Sequence, residues 1–243
     1  MESGRAIIMG ASSGMGFRIA ELLLEKGWKL GVAARREELL QPLKNTFPNQ
    51  VITARIDVND VEADKQLLQL TEQMGGIDLY LHVSGIGKQN MELQPEIELG
   101  TVETNGLGFT RCITAIYNYM ASHEGGQIAA ISSIAGTKGL GAAPSYSATK
   151  AFQNTYLEAL EQQAHMRHLN IRITDIRPGF VATPLLGEQP NYPMLMDTNA
   201  AASEIVRYVL RKSHVHVLDW RYRILTFFWS LCPRCLWRRL PIR

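Results

Sequence analysis

Arg5-Ala6-Ile7-Ile8-Met9-Gly10-Ala11-Ser12-Ser13-Gly14-Met15-Gly16 joins a short apolar run to an amphipathic pattern through three glycines. The run Arg5–Met9 has the length of a buried strand, and residues 15–26 place Ile19, Leu22 and Leu23 on one face of a helix. Glycines at 10, 14 and 16 let the backbone turn tightly and approach a pyrophosphate, whose charge would rest on the helix N-terminus. The spacing is Gly-x-x-x-Gly-x-Gly instead of the commoner Gly-x-Gly-x-x-Gly, and its place between a strand and a helix gives it weight. A plain strand-to-helix turn is the competing reading.

The alternation continues outward from this turn. Apolar runs at 29–33, 51–56, 78–83, 127–131, 171–176 and 214–219 read as strands, and helical patterns fall at 37–46, 60–74, 97–120 and 145–167. Parallel strands need helical crossovers, so the rhythm predicts an α/β fold, a doubly wound parallel sheet with helices on both faces. Residues 1–219 read as one domain that includes a loop at 184–199, and residues 220–243 as a C-terminal amphipathic extension.

Composition is that of an ordinary globular chain of 243 residues, with 46% hydrophobic and 20% charged residues. The net charge of +2 conceals an asymmetry: residues 211–243 carry eight Lys and Arg against one acid, Asp219. A basic tail on a mildly acidic body points to a surface partner for the tail and away from a nucleic-acid-binding fold. Three cysteines and no secretory signal predict a reducing, cytoplasmic setting. The apolar stretch Ile224–Cys232 is far shorter than the ~20 residues of a spanning helix.

Candidate site residues cluster at predicted strand ends, where open parallel sheets bind ligands. Arg35 and Arg36 follow the second strand, where an acid would bond a ribose diol and an arginine can pair with a 2′-phosphate, so NADP(H) is expected over NAD(H). The alternative makes both arginines solvated helix-start residues. Asp57-Val58 after the third strand suits an adenine edge, and Ser84-Gly85 follows the fourth. Ser133 closes the fifth strand, and Tyr146 and Lys150 share one helix face a turn apart. A cation near the phenol is expected to draw its pKa down from about 10, making Tyr146 a usable general acid or base.

Together these residues resemble the classical branch of the short-chain dehydrogenase/reductase family over about residues 5–210. The motifs are the turn Gly10, Ser12, Ser13, Gly14, Met15 and Gly16, then Asp57, the Gly85 turn, Asn105, Ser133, Tyr146 with Lys150, and Arg177-Pro178-Gly179 with Thr183. The resemblance implies a Rossmann-type fold with Tyr146 as catalytic acid/base and Ser133 orienting the substrate oxygen. Lys150 would hold the nicotinamide ribose and Asn105 would anchor a water in a proton relay. Pro178, Gly179 and Val181 would pass beside the nicotinamide, with Thr183 near the cofactor amide and phosphates. Residues 184–199 would form the mobile substrate lid, and the family pairs its two long helices between subunits, which implies a homodimer or homotetramer.

The chain departs from the family pattern at Met9-Gly10 and at His82-Val83-Ser84-Gly85, where the family has Thr-Gly and Asn-Asn-Ala-Gly. The missing asparagine braces the central sheet, so His82 or a water must take its place; His82 reads as a satisfied core group. A long tail after the last strand lowers a ketoacyl-reductase reading and looks more like members acting on hydroxysteroids or retinol. Leu185, Leu186, Tyr192, Met194, Leu195 and Met196 in the loop suit an apolar substrate or ordinary packing.

In the tail, Trp220, Ile224, Phe227, Phe228, Leu231 and Cys235 recur at helical spacing beside arginines. Such a stripe either lies peripherally in a membrane interface or packs on the body or a second subunit. Cys232-Pro233-Arg234-Cys235 with His214 and His216 could suggest zinc, but four converging ligands are not evident and no metal is expected. The reading is an NADP(H)-dependent oxidoreductase interconverting a carbonyl and an alcohol on a small, apolar substrate. Two alternatives stay open: a non-catalytic NADP(H)-binding sensor or membrane-associated scaffold, and a ketoacyl thioester reductase.

Overall fold

The strand β1 (Arg5–Met9) sends Ala6 and Ile8 into one apolar cluster and Ile7 and Met9 into another, as the two-residue period of a strand covered on both faces demands. The computed structural model describes residues 3–186 and 192–242. Within them β1 is joined by β2 (Lys29–Ala34), β3 (Val51–Arg55), β4 (Leu79–His82), β5 (Gly126–Ile131), β6 (Ile171–Arg177) and β7 (Val215–Val217). These form a seven-stranded sheet, all parallel, in the order β3-β2-β1-β4-β5-β6-β7. This is the expected Rossmann-type sheet, and its order reverses between β1 and β4, the switch point where such sheets bind ligands.

One face carries α1 (Gly14–Glu25), α2 (Gln41–Thr46) and α7 (Thr198–Leu210); the other carries α3 (Ala63–Gln73), α5 (Phe109–Ala121) and α6 (Pro144–Met166). Each buries a stripe at helical spacing, such as Cys112, Ile113, Ile116, Tyr117 and Met120 of α5. Asp197 starts α7 by accepting from the amides of Asn199 (2.8 Å) and Ala200 (3.0 Å). The pattern at 37–46 is divided, a 3₁₀ turn at Glu37–Leu40 preceding α2, with Pro42 in the first turn of α2, where its missing N–H is harmless.

The expected single helix over 97–120 is interrupted. α4 (Pro95–Val102) passes into a π-helical turn at Glu103–Gly108 before α5 resumes. The wider turn is centred on Asn105, whose side chain is drawn to the β4 edge by two bonds to Ile86. The last strand is also shorter than 214–219, because Asp219 turns the chain into α8 (Trp220–Leu231) with φ +62°. Pro233 then separates α8 from α9 (Arg234–Trp237), so Cys235 falls beyond the helix that carries the rest of its stripe.

Candidate active site

The β1–α1 turn is shaped by what its glycines lack. Gly10 has φ +94°, and a Cβ there would stand 2.7 Å from the Ser84 amide nitrogen of the neighbouring turn. A Cβ at Gly16 would overlap the Gly10 carbonyl oxygen, so only glycine lets α1 start this close to the strand end. Ser13 occupies the N-cap position, yet its hydroxyl makes no capping bond. The first amides of α1, beginning at Gly14, Met15 and Gly16 and next in the chain to Ser12 and Ser13, are therefore not capped by that hydroxyl. Thr183 reaches this turn from the far side, 3.3 Å from where a Gly14 Cβ would lie.

Arg35 and Arg36 are both exposed immediately after β2. Asp57 follows β3, its carboxylate accepting from the Asn59 amide at 3.1 Å, and Val58 is buried with its carbonyl accepting from Arg111 at 2.7 Å. Ser84 continues the edge, its amide donating to the Met9 carbonyl at 2.9 Å. Gly85 lies against the Asn105 amide and the Lys150 ammonium, and Gly87 against the Tyr146 ring. The expected site residues thus line one continuous edge from β3 to β6.

Three elements meet around Tyr146. Ser133 ends β5 in extended backbone, with its hydroxyl accepting from the Ala135 amide at 3.1 Å and donating to the Pro178 carbonyl at 3.3 Å. Tyr146 opens α6, and Lys150 follows one turn later, its Nζ 5.7 Å from the phenol ring centre. Burial pushes the Tyr146 phenol up, and the nearby Ser133 hydroxyl draws it back only in part. The expected downward shift from Lys150 is therefore not what the fold produces. Lys150 is itself buried, which lowers it to about 8, opposed by the Asp175 carboxylate.

Lys150 spends its donors elsewhere. Its ammonium bonds the Ile131 carbonyl at 3.1 Å and the Gln153 Oε1 at 2.9 Å, and Gln153 Nε2 donates to the Asn105 carbonyl at 2.9 Å. Gln153 thus bonds the backbone carbonyl of Asn105, the residue expected to anchor a water, and its side-chain amide links Asn105 to Lys150. Asn105 is fully buried, with its side chain accepting from the Ile86 amide at 2.9 Å and donating to the Ile86 carbonyl at 2.6 Å. Gln153 was not among the expected residues; its only sequence signal is its place three after Lys150 on the same buried face.

His82 does not supply the expected bracing across the sheet, since its one side-chain partner lies on the same strand. Its Nδ1 pairs with the Tyr80 hydroxyl at 2.9 Å, while Nε2 is buried without a partner. Burial, then the nearby Lys150 charge, lowers it to about 3, so it stays neutral. His214 and His216 bond different carboxylates, Glu161 and Glu204, and no metal-binding group forms among the described residues.

The edge after β6 is closed by an unexpected residue. Pro178 is buried, and Val181, bridged to Met196, carries the chain past the site. The fully buried Tyr222 of α8 lies against Gly179, accepts from the Phe180 amide at 3.1 Å and donates to the Pro193 carbonyl at 2.9 Å. The loop has a 3₁₀ turn at Pro184–Leu186, and residues 187–191 of the expected lid lie outside the described residues.

Comparison with known proteins bears on the family and the fold. A protein described as an uncharacterized oxidoreductase of Myxococcus xanthus is 30% identical over 239 residues, spanning 95% of this chain and 93% of its own. A Burkholderia cenocepacia short chain dehydrogenase solved in complex with NADP superposes with a TM-score of 0.85 at 21% identity, covering 100% of this chain and 99% of that one. An alcohol dehydrogenase of Thermococcus sibiricus complexed with 5-hydroxy-NADP gives 0.77 at 24% identity, covering 89% and 96%. The short chain dehydrogenase family profile matches residues 5–192, and the chain belongs to that family of oxidoreductases.

Proposed function

We propose that the chain is an NADP(H)-dependent oxidoreductase that interconverts a carbonyl and an alcohol on a small, apolar substrate. The observation that carries this reading is the convergence of Ser133, Tyr146, Lys150 and Asn105 on the edge that also holds the bare glycine turn. The Gly10–Gly16 turn fits a pyrophosphate because its glycines let α1 begin hard against the ends of β1 and β4, with its first amides uncapped by the Ser13 side chain. Ser12, Ser13 and Thr183 would bond its oxygens, Asp57 and Val58 the adenine, and Lys150 the nicotinamide ribose. Arg35, with Arg36 beside it, would pair with a 2′-phosphate, which selects NADP(H). The nicotinamide, when bound, supplies or receives hydride.

The protein's own part is proton transfer and charge stabilisation. In the reducing direction the Tyr146 phenol donates its proton to the carbonyl oxygen, and the Ser133 hydroxyl donates a hydrogen bond as negative charge develops there. A phenol that burial holds above its ordinary value keeps its proton at neutral pH, the form that the reducing direction needs. Lys150, oriented by Gln153 and Ile131, keeps a cation beside the phenolate left behind. The exposed Leu185 and Leu195 would present apolar surface to the substrate, while Met194 and Met196 pack on the core.

A homodimer or homotetramer fits the exposed apolar side chains Leu99, Val102, Leu107 and Phe152 on α4, the π-helical turn and α6. The free thiols Cys112, Cys232 and Cys235 suit a reducing, cytoplasmic setting. NADPH and NADH oxidation followed by absorbance against apolar ketones, aldehydes, quinones and ketoacyl thioesters tests the reading. NADPH-selective turnover is expected; tight NADPH binding without turnover across the panel would favour the sensor.

A further inference from the structure

The helix α8 is apolar on two opposite faces. Tyr222, Leu225 and Trp229 turn toward the body, while Trp220, Ile224, Phe227, Phe228 and Leu231 form one outward stripe, each about half to two-thirds exposed. At a helical 100° per residue the five lie within about 100° of arc, with Arg221 and Arg223 on its two flanks. The segment beyond adds exposed Leu236 and Leu240 beside exposed Arg234, Arg238 and Arg239. Asp219, the one acid between residues 211 and 243, is already paired with Arg221 at 2.6 Å.

This helix is fixed in place by bonds that do not involve its outer stripe. Tyr222 binds Phe180 and Pro193, Lys138 Nζ donates to the Cys232 carbonyl at 3.0 Å, and Trp237 Nε1 donates to the Gly139 carbonyl at 2.7 Å. The apolar face is therefore presented rigidly, at the rim formed by the loops after β5 and β6. A second copy placed face to face on the stripe would set its arginines against arginines. A surface of opposite charge with an apolar interior meets both demands at once.

We propose that α8 and α9 dock the protein on an anionic phospholipid surface, with the stripe in the acyl boundary, the arginines among the headgroups, and the substrate side turned to the bilayer. No helix among the described residues is long and apolar enough to cross a membrane, so the contact is interfacial. The docking rests on exposed groups alone; its use, to draw an apolar carbonyl compound from the lipid, rests on the function proposed above.

Flotation of the full chain with phosphatidylcholine vesicles containing roughly one-third phosphatidylserine, or none, tests it. The chain should float with the anionic vesicles and about tenfold less with neutral ones. Phe227→Glu/Phe228→Glu should abolish flotation while keeping the unfolding midpoint and NADPH binding. Arg238→Glu/Arg239→Glu should reduce it selectively on anionic vesicles. A chain that stays at the bottom of the gradient with anionic vesicles overturns the proposal. So does a Phe227→Glu/Phe228→Glu protein that floats unchanged, and so does a stripe whose loss only lowers the sedimenting mass. NADPH oxidation against the carbonyl panel above, in the same samples, separates the two ideas: flotation without turnover across the panel supports docking and counts against the enzyme reading, and turnover without flotation does the reverse.

Discussion

At the β1–α1 turn one added carbon is intolerable, since a Cβ at Gly16 would overlap the Gly10 carbonyl oxygen; at Lys150 one removed amide leaves a buried ammonium and a buried carbonyl short of partners. The first half of the site is defined by atoms the sequence withholds, leaving backbone amides bare for a ligand. The second half is defined by buried polar side chains tied to backbone groups of the neighbouring turns and, at Lys150 and Gln153, to one another. Binding surface and reaction chemistry thus impose opposite demands on neighbouring residues, and each half should fail in its own way when altered.

Tyr146→Phe should show the largest effect, a fall in kcat of about 10³-fold, because it removes the proposed proton donor without disturbing packing. NADPH binding, followed by fluorescence, should change little; a variant that lost both would erase the division between the halves. Gly16→Ala should do the converse, weakening NADPH binding and lowering stability by about 3 kcal/mol as the turn is forced open. Chemical denaturation with and without NADPH measures both.

Gln153→Ala should cost about 2 kcal/mol through the two buried groups it leaves short of partners. Gln153→Glu should instead raise the Lys150 pKa and move the alkaline limb of the kcat profile upward, an effect that simple loss of packing does not produce. Lys150 also predicts a pH dependence. Its folded value, about 8, lies below the ~10.4 of an unfolded lysine, so the unfolded chain binds more protons between those values and this group makes stability rise with pH there. The slope is up to about 1.4 kcal/mol per pH unit, and Lys150→Met should remove it in urea unfolding at pH values inside the window. The smallest effect is expected at Arg35→Ala, a drop of about tenfold in the NADPH over NADH ratio of kcat/KM, because an exposed guanidinium is well screened.

Much of the fold was legible because its strands are covered on both faces and read as apolar runs. The expected 127–131 is Gly126–Ile131, and the expected 171–176 is Ile171–Arg177. The break in 97–120 was not legible, since nothing in local propensity requires a π-helical turn; it depends on Ile86 and Gln153, which meet Asn105 only after folding. Ser133, Tyr146 and Lys150 were found by spacing along two elements, whereas Tyr222 touches Phe180 from 42 residues away and carries no such spacing. The direction of the Tyr146 shift was missed for a similar reason: proximity of Lys150 is visible in sequence, but the depth of burial that outweighs it is not.

The distribution of the three thiols gives the molecule a ready spectroscopic handle. Cys112 is buried in α5, and burial pushes its thiol up to about 12, leaving almost no thiolate to attack an electrophile. Cys235 is exposed in α9, and Cys232 is half-buried just past the end of α8. A maleimide dye added to the unaltered protein should therefore mark the tail and spare the core. Its emission would report on the polarity around α8 and α9 while absorbance follows the nicotinamide, so two events in two regions can be timed in one cuvette.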